Sequence, residues 1–167
     1  MDNPNPEIGS VDMHSVFDDL SLESIMSMLN EYEPVTSDEV YSLLKDIKDP
    51  EHPELSLAQL RVVKKDQIRI KDSDSSVLVE YTPTIPTCSV AVLIGLTLLK
   101  KLQLCLPGRF KIVLRISAGK HVQEKQVNKQ LADKERVAAA MENPNLNRLV
   151  RDGVHKTDSI PEHLFIW

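Results

Sequence analysis

The segment SVAVLIGLTLLKKLQL, residues 89–104, constrains the fold of this chain more than any other. On a helical projection it is apolar on almost every side, and a helix of that kind has to be buried among other elements. Its continuous apolar part, residues 90–99, is well short of the ~20 residues that cross a bilayer. The segment therefore predicts a central, buried helix in a water-soluble domain.

Three segments rich in β-branched residues flank this helix in the chain. Residues 60–70 and 76–84 are separated by the turn-forming cluster KDSDS, which predicts an antiparallel hairpin. Residues 110–117 alternate apolar and polar side chains, and because an apolar helix links them to the second strand, we expect a crossover into the same sheet. The predicted fold class is α+β: a single domain with a small mixed three-stranded sheet packed against helices.

Polar caps and prolines mark further helices on both sides of this core. Thr36 or Ser37 precedes an apolar helical pattern that ends before the prolines of DPEHPEL. From Glu124 onward the pattern is helical again. Asp133 interrupts it and can cap the next helix, and the Asn-Pro pair at residues 143–144 stops that helix in turn.

The net charge of -5 hides an uneven distribution. Residues 1–44 contain ten acidic residues and no Lys or Arg, whereas residues 45–167 contain all 20 basic residues and 15 acidic ones. Such a block is typical of a disordered arm; alternatively, it docks on a partner's basic surface or folds back on the body. We therefore expect an acidic, largely disordered arm at 1–36, a domain at 37–154 and a C-terminal tail at 155–167.

Composition disfavours several function classes. Aromatic residues make up only 4% of the chain and the basic residues are scattered, so we expect no nucleic-acid partner. The chain does not start with a basic and then apolar stretch, as a secretory signal does, so we expect a cytoplasmic protein without a membrane partner. The five histidines have no ligand spacing with one another or with either of the two cysteines, which disfavours a resident metal. A phosphate-binding glycine loop and a Ser-His-Asp signature are also missing.

Cys88 follows a proline-braced approach, EYTPTIPTCSV at residues 80–90. Pro83 and Pro86 fix φ at two points, which makes Thr87 the expected N-cap of the central helix and places Cys88 on its first turn. Unpaired amide N–H groups and the positive end of the helix dipole would there lower the pKa of the thiol and make it reactive. A buried, inert cysteine is an equally good interpretation.

The remaining candidate residues have plain structural alternatives. Asp49, Pro50 and Glu51 form either a helix-ending turn with two solvated acids or a recognition element beside the thiol or a partner. His121 can approach the thiol in space as a base, although nothing in the sequence requires it. Cys105 lies among leucines at the helix exit, where we expect it to pack in the core or against a partner.

Four stretches taken in order carry a family resemblance. They are DIKDPEHP, SLAQLRVV, TPTIPTCSVAVLIGL and NKQLADKERVAAAMENPNL, at residues 46–53, 56–63, 82–96 and 128–146. Together they resemble the cytosolic iron-sulfur assembly component 2 family, which includes the insect galla proteins, and more distantly the bacterial SufT and PaaD-type assembly factors. The resemblance extends from about residue 41 to about residue 154, so the acidic arm and the last residues lie outside it.

The resemblance implies a non-enzymatic subunit of the cytosolic targeting complex, which delivers 4Fe-4S clusters to apoproteins of the cytosol and the nucleus. The implied partners are a WD-repeat β-propeller subunit, a HEAT-repeat adapter and the apoprotein clients, and the complex is linked to chromosome segregation. It implies no stably bound cofactor, only an iron-sulfur cluster or metal carried transiently on Cys88, and domain-swapped homodimers are a feature of such domains. The family's motif residues fall on Asp49, Pro50, Glu51, Thr82, Pro83, Thr84, Cys88 and Ser89.

The chain departs from the family pattern at Thr87, which stands where His usually precedes the cysteine; if that imidazole tunes the thiol or helps to bind metal, we expect a divergent paralogue with altered cluster handling. The terminal LFIW is similar to aromatic-ended tails that dock on the targeting complex, which makes Ile166 and Trp167 candidate partner contacts; the alternative is a tail packed loosely on its own domain. Two other functions stay open. One is a thiol-based redox sensor or thiol enzyme acting through Cys88, and the other is a scaffold in which Cys88 only packs.

Overall fold

The computed structural model describes residues 34–87 and 90–155. Its sheet contains β1 (Val63–Lys71), β2 (Ser76–Tyr81) and β3 (Lys111–Ile116), in that order. β1 and β2 are antiparallel, and β2 and β3 are parallel. The predicted α+β class and the mixed three-stranded sheet are confirmed. Within these residues the α-helices are α1 (Ser37–Leu44), α2 (Ala91–Cys105), α3 (Glu124–Ala132), α4 (Lys134–Met141) and α5 (Pro144–His155).

α2 is the crossover between the parallel strands β2 and β3, which a tight turn cannot join. Ten of its fifteen residues are buried, and it contacts α1, α3, α5 and β3. Leu96 and Leu98 are both buried although their two-residue spacing places them on opposite sides of the helix. The prediction of a central helix surrounded by other elements is therefore confirmed.

The hairpin turns one face of β2 toward the core. Val77, Val79 and Tyr81 are buried, and the residues between them are half-buried. Val79 lies opposite Ile68 of β1 and Val77 lies opposite Ile70, so the apolar side chains of the two strands share a face. This alternation is the one expected of an antiparallel pair that packs on one side only.

Both strands of the hairpin are shorter than predicted at the end away from the turn. β1 starts late because Arg61 has a left-handed φ of 56° in a turn that places the Val62 N–H 2.8 Å from the Leu57 carbonyl oxygen, to which it donates. β2 ends at Tyr81, and Pro83, which has no N–H, cannot extend a ladder of hydrogen bonds.

Polar caps define the ends of the shorter helices. At the start of α1, Glu39 donates its N–H to Thr36 Oγ1 at 3.3 Å while Thr36 donates its own N–H to the Glu39 carboxylate at 2.7 Å, which is a capping box. Asp133 accepts two backbone N–H groups from the first turn of α4, and Asn143 does the same for α5. The predicted cap at Thr36 and the predicted break at Asp133 are confirmed.

The start of α2 differs from the prediction. The helix begins at Ala91 with Val90 as its N-cap, so the predictions that Thr87 caps the helix and that Cys88 lies on its first turn are both wrong. Residues 86–87 form a turn, and the first hydrogen bond of the helix runs from the Ile94 N–H to the Val90 carbonyl at 2.9 Å. The Val122 N–H, from another loop, donates to the Pro86 carbonyl at 2.9 Å and so connects this turn to residues outside the local sequence.

Several predicted features lie outside the described residues. These are Cys88 and Ser89, most of the acidic arm, and the tail from residue 156 onward, which includes Ile166 and Trp167. In the part of the chain that is described, no helix combines the length and the apolar character needed to cross a membrane.

Two lysines near the C-terminal end of α2 are partly or fully buried, although a favourable interaction with the helix dipole does not require burial. Lys101 is fully buried, at 0% exposure. Lys100 borders a small space with Val137 and Met141 of α4, and burial lowers its pKa from 10.5 to about 8. Because burial disfavours the charged ammonium, the folded protein holds this proton less tightly than the unfolded chain does.

We predict that Lys100→Met stabilises the protein most at neutral pH. Below a pH of about 8 the native ammonium is charged and desolvated, so the substitution should raise the free energy of unfolding by on the order of 1 kcal/mol. As the pH rises from about 8 to 10.5, the native amine loses its proton before the unfolded chain does, the wild-type protein regains stability, and the gain shrinks. Urea unfolding across this window measures the difference, with Lys120→Met at an exposed position as the control. A gain from Lys100→Met that stays constant with pH would contradict the assignment.

Candidate functional site

The candidate site is the loop between β2 and α2, residues 82–90, which we call the cysteine loop. Its first residue, Thr82, donates its backbone N–H to the Val62 carbonyl at 2.8 Å, and Pro83 is buried. Residues 84–87 are exposed. The loop thus leaves the sheet and reaches the surface before Cys88, whose own position lies outside the described residues.

Tyr81 ties the two ends of the cysteine loop together. This tyrosine is fully buried at the end of β2, and its phenol O–H donates to the carbonyl of Ala91, the first residue of α2, at 2.8 Å. Gly95, four residues further along α2, leaves room for the phenol, since a Cβ there would lie 2.7 Å from Tyr81 Oη and 2.6 Å from Leu131 Cδ1. The loop therefore closes between two anchored residues, which restricts its conformations.

Thr82, the first residue of the Thr-Pro-Thr motif, is held by a polar cluster at the end of β3. Its hydroxyl donates to Ser117 Oγ at 3.0 Å, and the side-chain amide of Gln67 donates to the same oxygen at 3.0 Å. The Ser117 N–H donates to the Tyr81 carbonyl at 2.9 Å. Gln67 comes from β1, Thr82 follows β2 and Ser117 follows β3, so the cluster joins all three strands at the base of the cysteine loop.

His121 belongs to a second loop that contacts the cysteine loop. Its neighbour Val122 makes the hydrogen bond to Pro86, two residues before Cys88. His121 is only 8% exposed, and its Nδ1 accepts the N–H of Gln123 at 3.1 Å. In the neutral imidazole this hydrogen bond places the proton on Nε2. The approach of His121 toward the thiol stays a prediction, because Cys88 lies outside the described residues.

Two large apolar side chains are exposed where these loops meet. Ile85 is 52% exposed and Val122 is 72% exposed. Ile85 directly precedes Pro86 in the chain, and Val122 donates its own N–H to the Pro86 carbonyl. Both residues therefore flank the same hydrogen bond. Neighbouring exposed apolar side chains are typical of a surface that another protein covers.

The Asp49-Pro50-Glu51 turn is only partly solvated. Pro50 and Glu51 are exposed, but Asp49 is 1% exposed, so the interpretation as two solvated acids is wrong for Asp49. Its Oδ1 accepts the backbone N–H groups of Glu51 and His52, both at 2.9 Å, which stabilises the turn. Burial results because the turn packs against α2 and α5, where Asp49 borders a cavity together with Ile94 from the first turn of α2.

Within residues 34–87 and 90–155, no group of three or more His, Cys, Asp or Glu side chains is arranged to hold a metal ion. Cys105 is half-buried at the last position of α2, at the opposite end of that helix from the cysteine loop. An iron-sulfur cluster or metal carried on Cys88 stays a prediction, because that residue lies outside the described range.

Sequence reasoning missed two features of this site. The bond from Tyr81 to Ala91 had a signal, since an inward-facing tyrosine at a strand end needs a hydrogen-bond partner for its hydroxyl. The burial of Asp49 had a weaker signal in the sequence. An aspartate before proline predicts a turn, but its burial depends on α5, which comes much later in the chain.

Known proteins align with this chain over most of its length. Residues 37–113, which include the Asp49 turn and the cysteine loop, match the family model described as iron-sulfur cluster assembly protein. The chain is 52% identical over 118 residues to MIP18 family protein galla-2 of Drosophila melanogaster, covering 71% of this chain and 75% of that protein. It is 53% identical over 112 residues to cytosolic iron-sulfur assembly component 2B of Mus musculus, covering 67% of this chain and 68% of that protein. The Dictyostelium discoideum protein of the same name is 40% identical over 149 residues, covering 84% of this chain and 89% of that protein.

We predict that Gly95→Ala destabilises the protein through its contact with Tyr81. Overpacking against the phenol and Leu131 should cost about 1–3 kcal/mol, less the ~1 kcal/mol that alanine gains over glycine in a helix. The cost should be smaller in the Tyr81→Phe background, because that change removes the oxygen that the new methyl group meets. Guanidinium unfolding of the two single variants and the double variant measures this coupling.

Gly108→Ala is the matched control, because a Cβ at Gly108 meets nothing within 4 Å. It should change the free energy of unfolding by no more than about 0.5 kcal/mol. Equal costs of Gly95→Ala in the wild-type and Tyr81→Phe backgrounds would show that the phenol does not limit the space at Gly95.

Proposed function

The chain belongs to the MIP18 family, and from this premise we propose that it acts in the assembly of iron-sulfur clusters in the cytosol. The resemblance found in the four sequence stretches is confirmed at the level of the family. The observation that carries the proposal is the 53% identity to a mouse protein named cytosolic iron-sulfur assembly component 2B, together with the same name on the Dictyostelium relative.

In its finer form the proposal makes the chain a non-enzymatic subunit of a cytosolic targeting complex. It helps to deliver 4Fe-4S clusters to apoproteins of the cytosol and the nucleus, with a WD-repeat β-propeller subunit and a HEAT-repeat adapter as partners. The word component in the names of the relatives supports a role within a larger assembly. The exposed Ile85 and Val122 support a protein contact at the end of the domain where the cysteine loop lies.

Within that role Cys88 is the thiol that meets the cluster. Thiolates are the usual protein ligands of iron-sulfur clusters, and a single cysteine supplies only one of them, so the other ligands come from a client or a partner. The anchoring of the cysteine loop supports this role, since Tyr81 joins its ends and Val122 holds Pro86. The family's usual histidine before the cysteine is replaced here, and His121, on the loop that binds Pro86, is our candidate for the imidazole near the thiol.

We predict that Cys88→Ser folds normally but does not support cluster delivery. The matched control is Cys105→Ser, which removes the other thiol at the far end of α2. In cells depleted of the native protein, the activity of a cytosolic enzyme that requires a 4Fe-4S cluster should stay near background with Cys88→Ser. It should return to near the wild-type level with Cys105→Ser.

Three outcomes separate the alternatives. Full rescue by Cys88→Ser would favour a scaffold in which Cys88 only packs. Turnover of a small electrophile, or reversible oxidation of Cys88, by the purified protein without partners would favour a thiol enzyme or redox sensor. Affinity purification that recovers neither a propeller subunit nor a HEAT-repeat adapter would contradict the proposed complex while leaving the family membership intact.

A further inference from the structure

A cavity of about 120 Å³ lies between the Asp49 turn, α2 and α5. Most of its wall is apolar, and the polar groups along it are few. It is large enough for several water molecules or for one extended side chain. The apolar wall is formed by Ile47, Pro50, Pro53, Leu57, Ile94 and Leu149.

Among the residues that line the cavity, Asp49 is buried and has a carboxylate oxygen without a hydrogen-bond partner. Its Oδ1 is engaged by two backbone N–H groups, but its Oδ2 is inaccessible to solvent and accepts no hydrogen bond. A carboxylate oxygen taken out of water without a donor raises the free energy of the folded state. Asp49 lines the cavity, so a donor that enters it and displaces the side chains covering Oδ2 would remove that cost.

The other polar groups along the cavity do not supply this donor. Thr97 Oγ1 donates to the Leu93 carbonyl at 2.9 Å, and the Lys48 ammonium donates to the Glu54 carbonyl at 3.3 Å. Asp152 adds a second carboxylate on the exposed side of the cavity. The carboxylates of the lining therefore outnumber its one cation, so the cavity favours a positively charged guest.

We propose that this cavity receives the side chain of a lysine or arginine from a partner protein. The aliphatic stem of such a side chain fits the apolar wall, and its charged head pairs with Asp49 Oδ2, with Asp152 nearer to the solvent. The acidic arm does not supply the guest, because residues 1–44 contain no Lys or Arg. A metal ion is less well matched, since the described residues offer no group of three His, Cys, Asp or Glu ligands.

The approach of α5 to α2 keeps one side of the cavity fixed. A Cβ added to Gly153 would lie 2.9 Å from Thr97 Cγ2, so the two helices are in close contact at that point. A preformed cavity loses less conformational entropy on binding than a flexible one, which makes a weak, charge-dependent interaction measurable.

The test uses the full chain and small probes observed by NMR. Titration with N-acetyl-arginine amide or N-acetyl-lysine amide should shift the amide signals of Asp49, Ile94 and Gly153 in a saturable way, with a Kd on the order of millimolar. N-acetyl-citrulline amide has nearly the same shape as the arginine probe but no charge. It should bind at least about tenfold more weakly, because charge-assisted hydrogen bonds to a carboxylate are the stronger ones.

Asp49→Asn is the decisive variant. Its side-chain oxygen can still accept the N–H groups of Glu51 and His52, so the turn should persist while the affinity for the arginine probe falls about tenfold or more. Asp152→Asn, at an exposed position, provides a second variant that does not disturb the core and should weaken binding by a smaller factor. Asp66→Asn, an exposed aspartate on β1 away from the cavity lining, is the matched control and should bind as the wild type does.

Equal binding of the arginine and citrulline probes, or no saturable shift of the three signals, would overturn the inference. Shifts of the same signals by magnesium or calcium chloride, without any response to the basic probes, would overturn it in favour of a metal ion. None of these outcomes bears on the role of Cys88, so the proposal fails or stands independently of the function proposed above.

Discussion

The burial of α2 is the constraint on which the rest of the domain depends. A helix that is apolar on all sides needs cover from every direction, and a three-stranded sheet supplies only one face. α1, α3 and α5 provide the remaining cover, so elements that are far apart in the chain gather around one axis. The parallel pairing of β2 and β3 belongs to the same arrangement, because α2 is the crossover that such a pair requires.

The position of the cysteine loop follows from this buried helix. The hydroxyl of Tyr81 lies in the core, where no bulk water competes for it, and its hydrogen bond to Ala91 fixes where α2 begins relative to the sheet. Val90, the N-cap of α2, makes no capping hydrogen bond through its side chain. The first N–H groups of the helix therefore depend on other partners, such as the loop, water or a bound anion. A negatively charged thiolate, or a cluster bound to it, would be stabilised at this end of α2 by the positive end of the helix dipole.

More of the fold than of the candidate site could be predicted from the sequence. The hairpin, the buried helix and the caps at Thr36 and Asp133 were predictable because each depends on residues a few positions apart. The N-cap assigned to Thr87 was wrong because residues 86–87 form a turn, and this turn is hydrogen-bonded to Val122, beyond the third strand. The burial of Asp49 likewise depends on α5, and no local pattern encodes that contact. These two features could not be predicted because contacts between distant parts of the chain set them, and both lie at the candidate site.

The central proposal is that the cysteine loop presents Cys88, which precedes α2 in the chain, as an accessible and ionised thiol. The rate at which iodoacetamide alkylates Cys88 at neutral pH tests it most directly, with Cys105 replaced by Ser so that a single thiol reacts. We predict a rate well above that of the amino acid cysteine, since the thiolate is the reacting species and the positive end of the α2 dipole would stabilise a thiolate that lies close to it. A rate no higher than that of the amino acid, or protection that is relieved only when urea unfolds the protein, would contradict the claim.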